Sequence, residues 1–430
     1  MKGSLGPSGS PGYEVTELPN GVQVASVTMP HLRGVTVGIW AAVGGRHERA
    51  RECGAAHFLE HLLFKGTSQR SARELTLAVE GVGGYLNAYT TEDHTCYYAK
   101  AAAVHFPRLS EVLLEMYMDS QCPELEVERE RDVILEEILS CRDVPSQWAE
   151  ELLSEALWPG HPLGRPLTGT PKSIEKLSRR TLMDFRDRHY TGRNTIWTVA
   201  GPIAHGEVLE CVAGRLGALK AGRVVVEKRV SARVRQGVRV EKAESGQAHV
   251  AVGFHAVGRR SPRRYALRLL SVILGENMSS RLFQSLRETH GFCYSVQSST
   301  VLLRETGALS IFADLDSKKL GKALTVIGQE LRKLREKTVS KAELRRARDY
   351  LIGQTQVSMD SATQQISWMA ESLMAQGRVV SLSEVERGIE SVTVEELRAV
   401  AAFCFRPGRM GAAMVGPEED RGRLVGMLRI

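Results

Sequence analysis

VTVGIWAAVGGRHERA, residues 35–50, returns in altered form as HVAVGFHAVGRRSPRRYALRLL from His249 to Leu270. Gly38 aligns with Gly253, an offset of 215 in a chain of 430 residues, which is half its length. Each copy reads as a buried apolar strand, a polar turn and then a helix, after which helices and strands alternate. A duplication of this kind predicts an α+β fold. Two related domains each build a mostly antiparallel sheet with helices packed on one face. The expected organisation is a disordered leader at 1–12, a first domain at 13–218, a linker at 219–237 and a second domain at 238–430. The leader is rich in Gly, Ser and Pro and has no apolar stretch of signal-peptide type. The region from Ser317 to Phe403, which includes ELRRARDYLIGQTQ and QISWMAESLMAQG, reads as mainly helical.

Downstream of the first copy stands AAHFLEHLLFKGT, residues 55–67. His57 and His61 are four apart, so on a helix they share a face and can reach one ion. Glu60 sits near the edge of that face, placed to act on a water without being a ligand. His-x-x-Glu-His is the inverse of the commoner His-Glu-x-x-His zinc motif and offers similar geometry. Phe58, Leu59, Leu62 and Leu63 supply the apolar stripe, and Gly66 is a stop signal.

A catalytic zinc site needs a third protein ligand and an open position. ELEVERERDVILEEIL from Glu124 reads as a helix whose apolar content is Val127, Val133, Ile134, Leu135, Ile138 and Leu139. Glu130 and Glu137 are seven apart, two turns, and so lie on one face. Glu137 can complete the metal set while Glu130 orients a histidine from behind. Glu136 is a quarter-turn away and reads as a solvated charge. The same run also reads as an ordinary charged helix face laced with Glu–Arg pairs, and spacing alone does not choose between the two.

Composition is that of an ordinary globular enzyme, 43% hydrophobic and 25% charged, with a net charge of +7. The basic residues are spread through stretches such as VGRRSPRR and ELRKLREK, with no nucleic-acid-binding motif among them, so no nucleic-acid partner is expected. No apolar run reaches membrane-spanning length, so no membrane partner is expected either. Seven scattered cysteines without Cys-x-x-Cys spacing argue for reduced thiols and a cytoplasmic location.

The chain resembles the pitrilysin-like zinc peptidases, the group of insulysin and the mitochondrial processing peptidase. It is most similar to the short bacterial members built from two domains. The resemblance rests on GGRHE (44–48), HFLEHLLFKGT (57–67), GGYLNAYTTEDHTCYY (83–98), ERERDVILEEI (128–138), HPLGRPLTGT (161–170), YTGRNTIWTVAG (190–201) and SSRLFQSLRETHGFCYSV (279–296). It spans all but the first dozen residues.

The resemblance implies one Zn2+ per chain, bound by His57, His61 and Glu137, with Glu60 as general base and Glu130 supporting the site. Asn87 and Ala88 fall on a strand that pairs with an extended peptide. Arg287 and Tyr294 match a substrate-contacting pair close to the scissile bond, and Arg281 lies in the same segment. On the residues alone, FCYSV is a plain strand and Arg287 a basic residue in a last helical turn. Their substrate roles come from the resemblance only.

The implied activity is endopeptidase cleavage of unstructured oligopeptides or leader peptides inside a closed chamber. The implied assembly is a homodimeric clamshell in which the partner's second domain completes each site. The alternative is a non-catalytic subunit of processing-peptidase type, or one that depends on a heterodimer partner.

Overall fold

The two repeated glycines each sit at the centre of a sheet. The structure is a computed structural model that describes residues 12–230, 237–417, 424 and 426. Residues 1–11 of the expected leader and 231–236 of the expected linker lie outside the described residues.

The first sheet contains β1 (Tyr13–Glu17), β2 (Gln23–Thr28), β3 (Gly34–Ala41), β4 (Tyr85–Thr90), β5 (Thr95–Ala102) and β6 (Thr195–Gly201), in the order β1-β2-β6-β3-β5-β4. The second contains β7 (Gly237–Lys242), β8 (Gln247–Val257), β9 (Cys293–Leu302), β10 (Thr306–Asp316) and β11 (Met410–Gly416), in the order β7-β11-β8-β10-β9. Beyond β1, the two orders correspond strand for strand. Each has one parallel pair, β2 with β6 and β7 with β11, and antiparallel pairs elsewhere. The echo of Gly38 in Gly253 is thus a repeat of sheet topology.

The chain forms two compact units, and each draws on separate stretches. The first comprises residues up to 138 with 166–228 and 356–383. The second comprises 139–165, 229–355 and the remainder from 384. The helical stretch after Ser317 is therefore divided: helix Ala362–Gln376 belongs to the first unit, while Leu320–Glu336, Val394–Cys404 and most of Lys341–Ser358 belong to the second.

In each unit the main helical layer covers one face of the sheet, as expected. A single further helix covers part of the other face. In the first unit Ile366, Met369, Ala370 and Leu373 pack against Ala25, Val27, Trp40 and Ile196. In the second, Leu152, Leu153 and Leu157 of helix Pro145–Leu157 pack against Ala251, Ala308 and Ala413.

The central glycines admit these helices. A Cβ on Gly38 would lie 3.0 Å from Ile366 Cδ1, and one on Gly253 would lie 2.8 Å from Leu157 Cδ1. Residues 219–230 contain no regular element. They begin pinned to the first unit, where the Asn194 side chain donates to Arg223 O (3.0 Å) and accepts from Val225 N (3.1 Å).

Candidate active site

Helix Ala55–Leu62 buries Phe58, Leu59 and Leu62 completely, and Leu63 follows them into the same core. Full burial of side chains of this size is worth about 1.5–3 kcal/mol each, so the helix is held rigidly from one side. The stripe leaves His57 and His61 on the opposite face, with side chains 12% and 22% exposed. The regular helix closes at Leu62, short of Gly66.

Its start is fixed by a residue that the sequence reading passed over. Glu48 is buried, and its carboxylate accepts from the amides of Gly54 and Ala56 at 2.8 Å each. These are first-turn donors with no partner inside the helix, and an anion there also suits the helix dipole. Gly54 adopts φ 91°, and a Cβ on it would meet Gly169 Cα at 3.0 Å. Gly169 has φ 80°, and a Cβ on it would meet Cys53 O at 3.0 Å. The GGRHE and HPLGRPLTGT segments therefore aim the histidine helix. Glu48→Ala should lower stability by roughly 2–4 kcal/mol, since two buried amides lose their acceptor. A thermal melt matching the parent would contradict this assignment.

Helix Glu124–Asp143 supplies the facing carboxylates. Its buried stripe is Val127, Glu130, Ile134 and Ile138, while Val133 and Leu139 are half exposed. Of the apolar residues on this helix, those that turn inward follow the 127-130-134-138 spacing together with Glu130. Glu137 Oε2 stands 3.6 Å from His57 Nε2 and 3.8 Å from His61 Nε2. Two ligands of a tetrahedral ion bonded at about 2.1 Å are roughly 3.4 Å apart, so the donor set fits a zinc-sized ion with little adjustment. Among the described residues, His57, His61 and Glu137 form the one such group of His, Cys, Asp or Glu.

Glu130 Oε2 accepts from His61 Nδ1 at 3.1 Å, which leaves Nε2 of that ring facing Glu137. Lys65 Nζ holds the other Glu130 oxygen at 2.6 Å. Burial, with His61 nearby, pushes His57 down to about 4, so this ring is neutral and free to ligate near pH 7. Glu136 is exposed, as expected.

Glu60 accepts from Thr90 Oγ1 at 2.6 Å. Burial raises its pKa, the Thr90 bond and His61 oppose this, and Glu137 adds to it. Thr90 ends β4, the outer strand of the first sheet, which pairs with β5 on one side only. Asn87 and Ala88 lie on this edge, paired to Tyr98 and Tyr97 on the inner side only. The metal group, the candidate base and an open strand edge thus meet in one unit.

Arg287 and Tyr294 lie in the second unit, close to each other. The Arg287 guanidinium is 5.6 Å from the Tyr294 ring centroid and 5.0 Å from that of Phe283, and Tyr294 is 75% exposed. Arg281 is differently placed. Its Nε and Nη2 form a bidentate pair with Glu343, both at 2.8 Å, so its planar fork is spent inside the unit. Sequence reasoning missed Glu48, Thr90 and Lys65, whose roles depend on the folded chain bringing them to the helix.

Comparison with known proteins agrees with this architecture. The sequence profile described as "Insulinase (Peptidase family M16)" matches residues 23–171, and "Peptidase M16 inactive domain" matches 176–351. An "uncharacterized zinc protease" of Mycobacterium tuberculosis is 35% identical over 418 residues, 96% of this chain and 95% of that protein. One from Bacillus subtilis is 31% identical over 387 residues, 90% of this chain and 94% of that protein. The solved structure of a protease from Helicobacter pylori superposes with a TM-score of 0.87 at 23% identity, covering 95% of this chain and 100% of that one, which bears on the fold.

Proposed function

The chain belongs to peptidase family M16, the insulinase family, and on that premise we propose that it is a zinc-dependent endopeptidase acting on unstructured peptides. The observation that carries this reading is the convergence of His57, His61 and Glu137, with Glu60 beside them and hydrogen-bonded to the edge strand. Similarity to proteins named zinc proteases supports the choice of ion.

His57, His61 and Glu137 would hold the ion, which when bound would supply Lewis acidity towards a water and the scissile carbonyl. Glu60 takes the proton from the water and returns it to the leaving amine. Thr90 holds one oxygen of Glu60, which leaves the other for proton transfer. A peptide adding to the free edge of β4, beside Asn87 and Ala88, gains main-chain hydrogen bonds that depend little on its side chains. An unfolded chain readily adopts the extended form that such an edge accepts.

Arg287 and Tyr294 are assigned to substrate contact and a second copy of the chain to completing the site; their mutual stacking and the exposure of Tyr294 support this. Arg281 is assigned to holding Glu343 instead. The non-catalytic alternative draws on the inactive-domain match, but that match lies over residues 176–351, outside the metal group.

A mixture of unstructured peptides incubated with the zinc-loaded protein should be cut at internal bonds, read by mass spectrometry, with a stable folded protein left intact. Release of single terminal residues, or no cleavage at all, would count against the endopeptidase.

A further inference from the structure

The first unit carries a small excess of acidic over basic residues, yet one of its clefts is lined mainly by cations. A cleft of about 960 Å³ opens between the Ala50–Glu52 turn, the segment 170–176 and helix Arg179–His189. Six cationic side chains line it against two carboxylates, a local surplus of four within a unit whose formal net charge is negative.

The two acids are unlike. Glu52 is a buried structural partner, bound by Arg188 at 2.9 Å with Arg49 at 3.8 Å, while Asp184 shares the helix wall. Arg51, Lys172, Lys176 and Arg180 are exposed, and among the described residues none of the four makes an ion pair or a side-chain hydrogen bond. Elsewhere in the chain arginines such as Arg46, Arg70, Arg239 and Arg281 are bound to carboxylates. Unpaired like charges facing one concave space repel each other, and an anion placed there relieves the repulsion.

We propose that this cleft is an exosite for an acidic segment of the peptide substrate, remote from the scissile bond. This rests on the peptidase reading and names a substrate class for it. The volume of about 960 Å³ is in the range of ligand clefts. The lining contains no aromatic side chain on which a nucleic-acid base could stack. Arginine forks match carboxylates bidentately. Glu52 is five residues before His57, so the cleft wall and the metal helix are at most roughly 18 Å apart along the chain. An extended peptide of about six residues covers a distance of that length.

The test uses the full-length protein and two readouts. In the first, a fluorescent peptide with a run of glutamates is titrated in an anisotropy assay, beside the same peptide with glutamines. The acidic peptide should bind, more weakly as salt rises. Lys176→Glu combined with Arg180→Glu should weaken binding at least about tenfold, and Lys322→Glu in the second unit should not. The milder Arg51→Gln with Lys172→Gln should give the same direction, and normal melts establish folding.

In the second readout, kcat/KM for a cleavable peptide with an acidic tail should fall about tenfold in the double variant, through KM. Its glutamine-tailed counterpart should be unaffected. Equal binding of both peptides, insensitivity to the reversals, or tighter capture of single-stranded DNA or tripolyphosphate than of the acidic peptide would overturn the exosite. Because anisotropy needs no cleavage, a failure of the peptidase reading leaves the binding result interpretable.

Discussion

Glu60→Gln should reduce peptide hydrolysis by roughly 10²–10⁴-fold, the usual contribution of a positioned general base. The substitution keeps size and a hydrogen-bonding oxygen, so the Thr90 bond survives and the helix is not disturbed. Glu60 lies outside the converging group of His57, His61 and Glu137, so zinc content should be unchanged. Loss of activity with full metal occupancy separates a base from a ligand. The check is kcat/KM beside metal analysis on the same sample. A variant that cuts peptides at the parent rate would show that proton transfer does not pass through Glu60.

His61→Ala should lose the ion and reduce hydrolysis to background. The imidazole is one of three donors in the group, and it also joins the group to Glu130 and through it to Lys65. Removing it leaves two donors and frees Glu130 from its partner. Glu130→Gln should be milder, because an outer partner tunes a ligand without replacing it; metal affinity should fall about 10–100-fold. Competition with a chelator ranks parent, Glu130→Gln and His61→Ala in that order. Full zinc retention by His61→Ala would place the ion elsewhere.

The parts of this site that could be read in advance are those set by helical spacing. His57 with His61, and Glu130 with Glu137, are separations that a regular helix turns directly into shared faces. The structure then brings Glu137 Oε2 within 4 Å of both histidines. The duplication was legible for a related reason, since Gly38 and Gly253 sit at the same place in matching sheets and each makes room for a helix.

Contacts made across long stretches of chain were not legible. Thr90 reaches Glu60 only because β4 runs beside the histidine helix, and Lys65 and Glu48 look like ordinary surface charges in sequence. Helix Ala362–Gln376 was readable as a helix, yet its membership of the first unit is a tertiary fact. The pairing of Arg281 with Glu343 is likewise invisible in a segment resemblance.

The central claim is that one ion, held by His57, His61 and Glu137, is required for hydrolysis. The most direct measurement is to strip the protein of metal and titrate zinc back while following cleavage of an unstructured peptide. The account predicts no cleavage without metal and activity that rises to saturation at one zinc per chain. Full activity in the stripped protein, or zinc binding that leaves it inert towards every unstructured peptide, would contradict it.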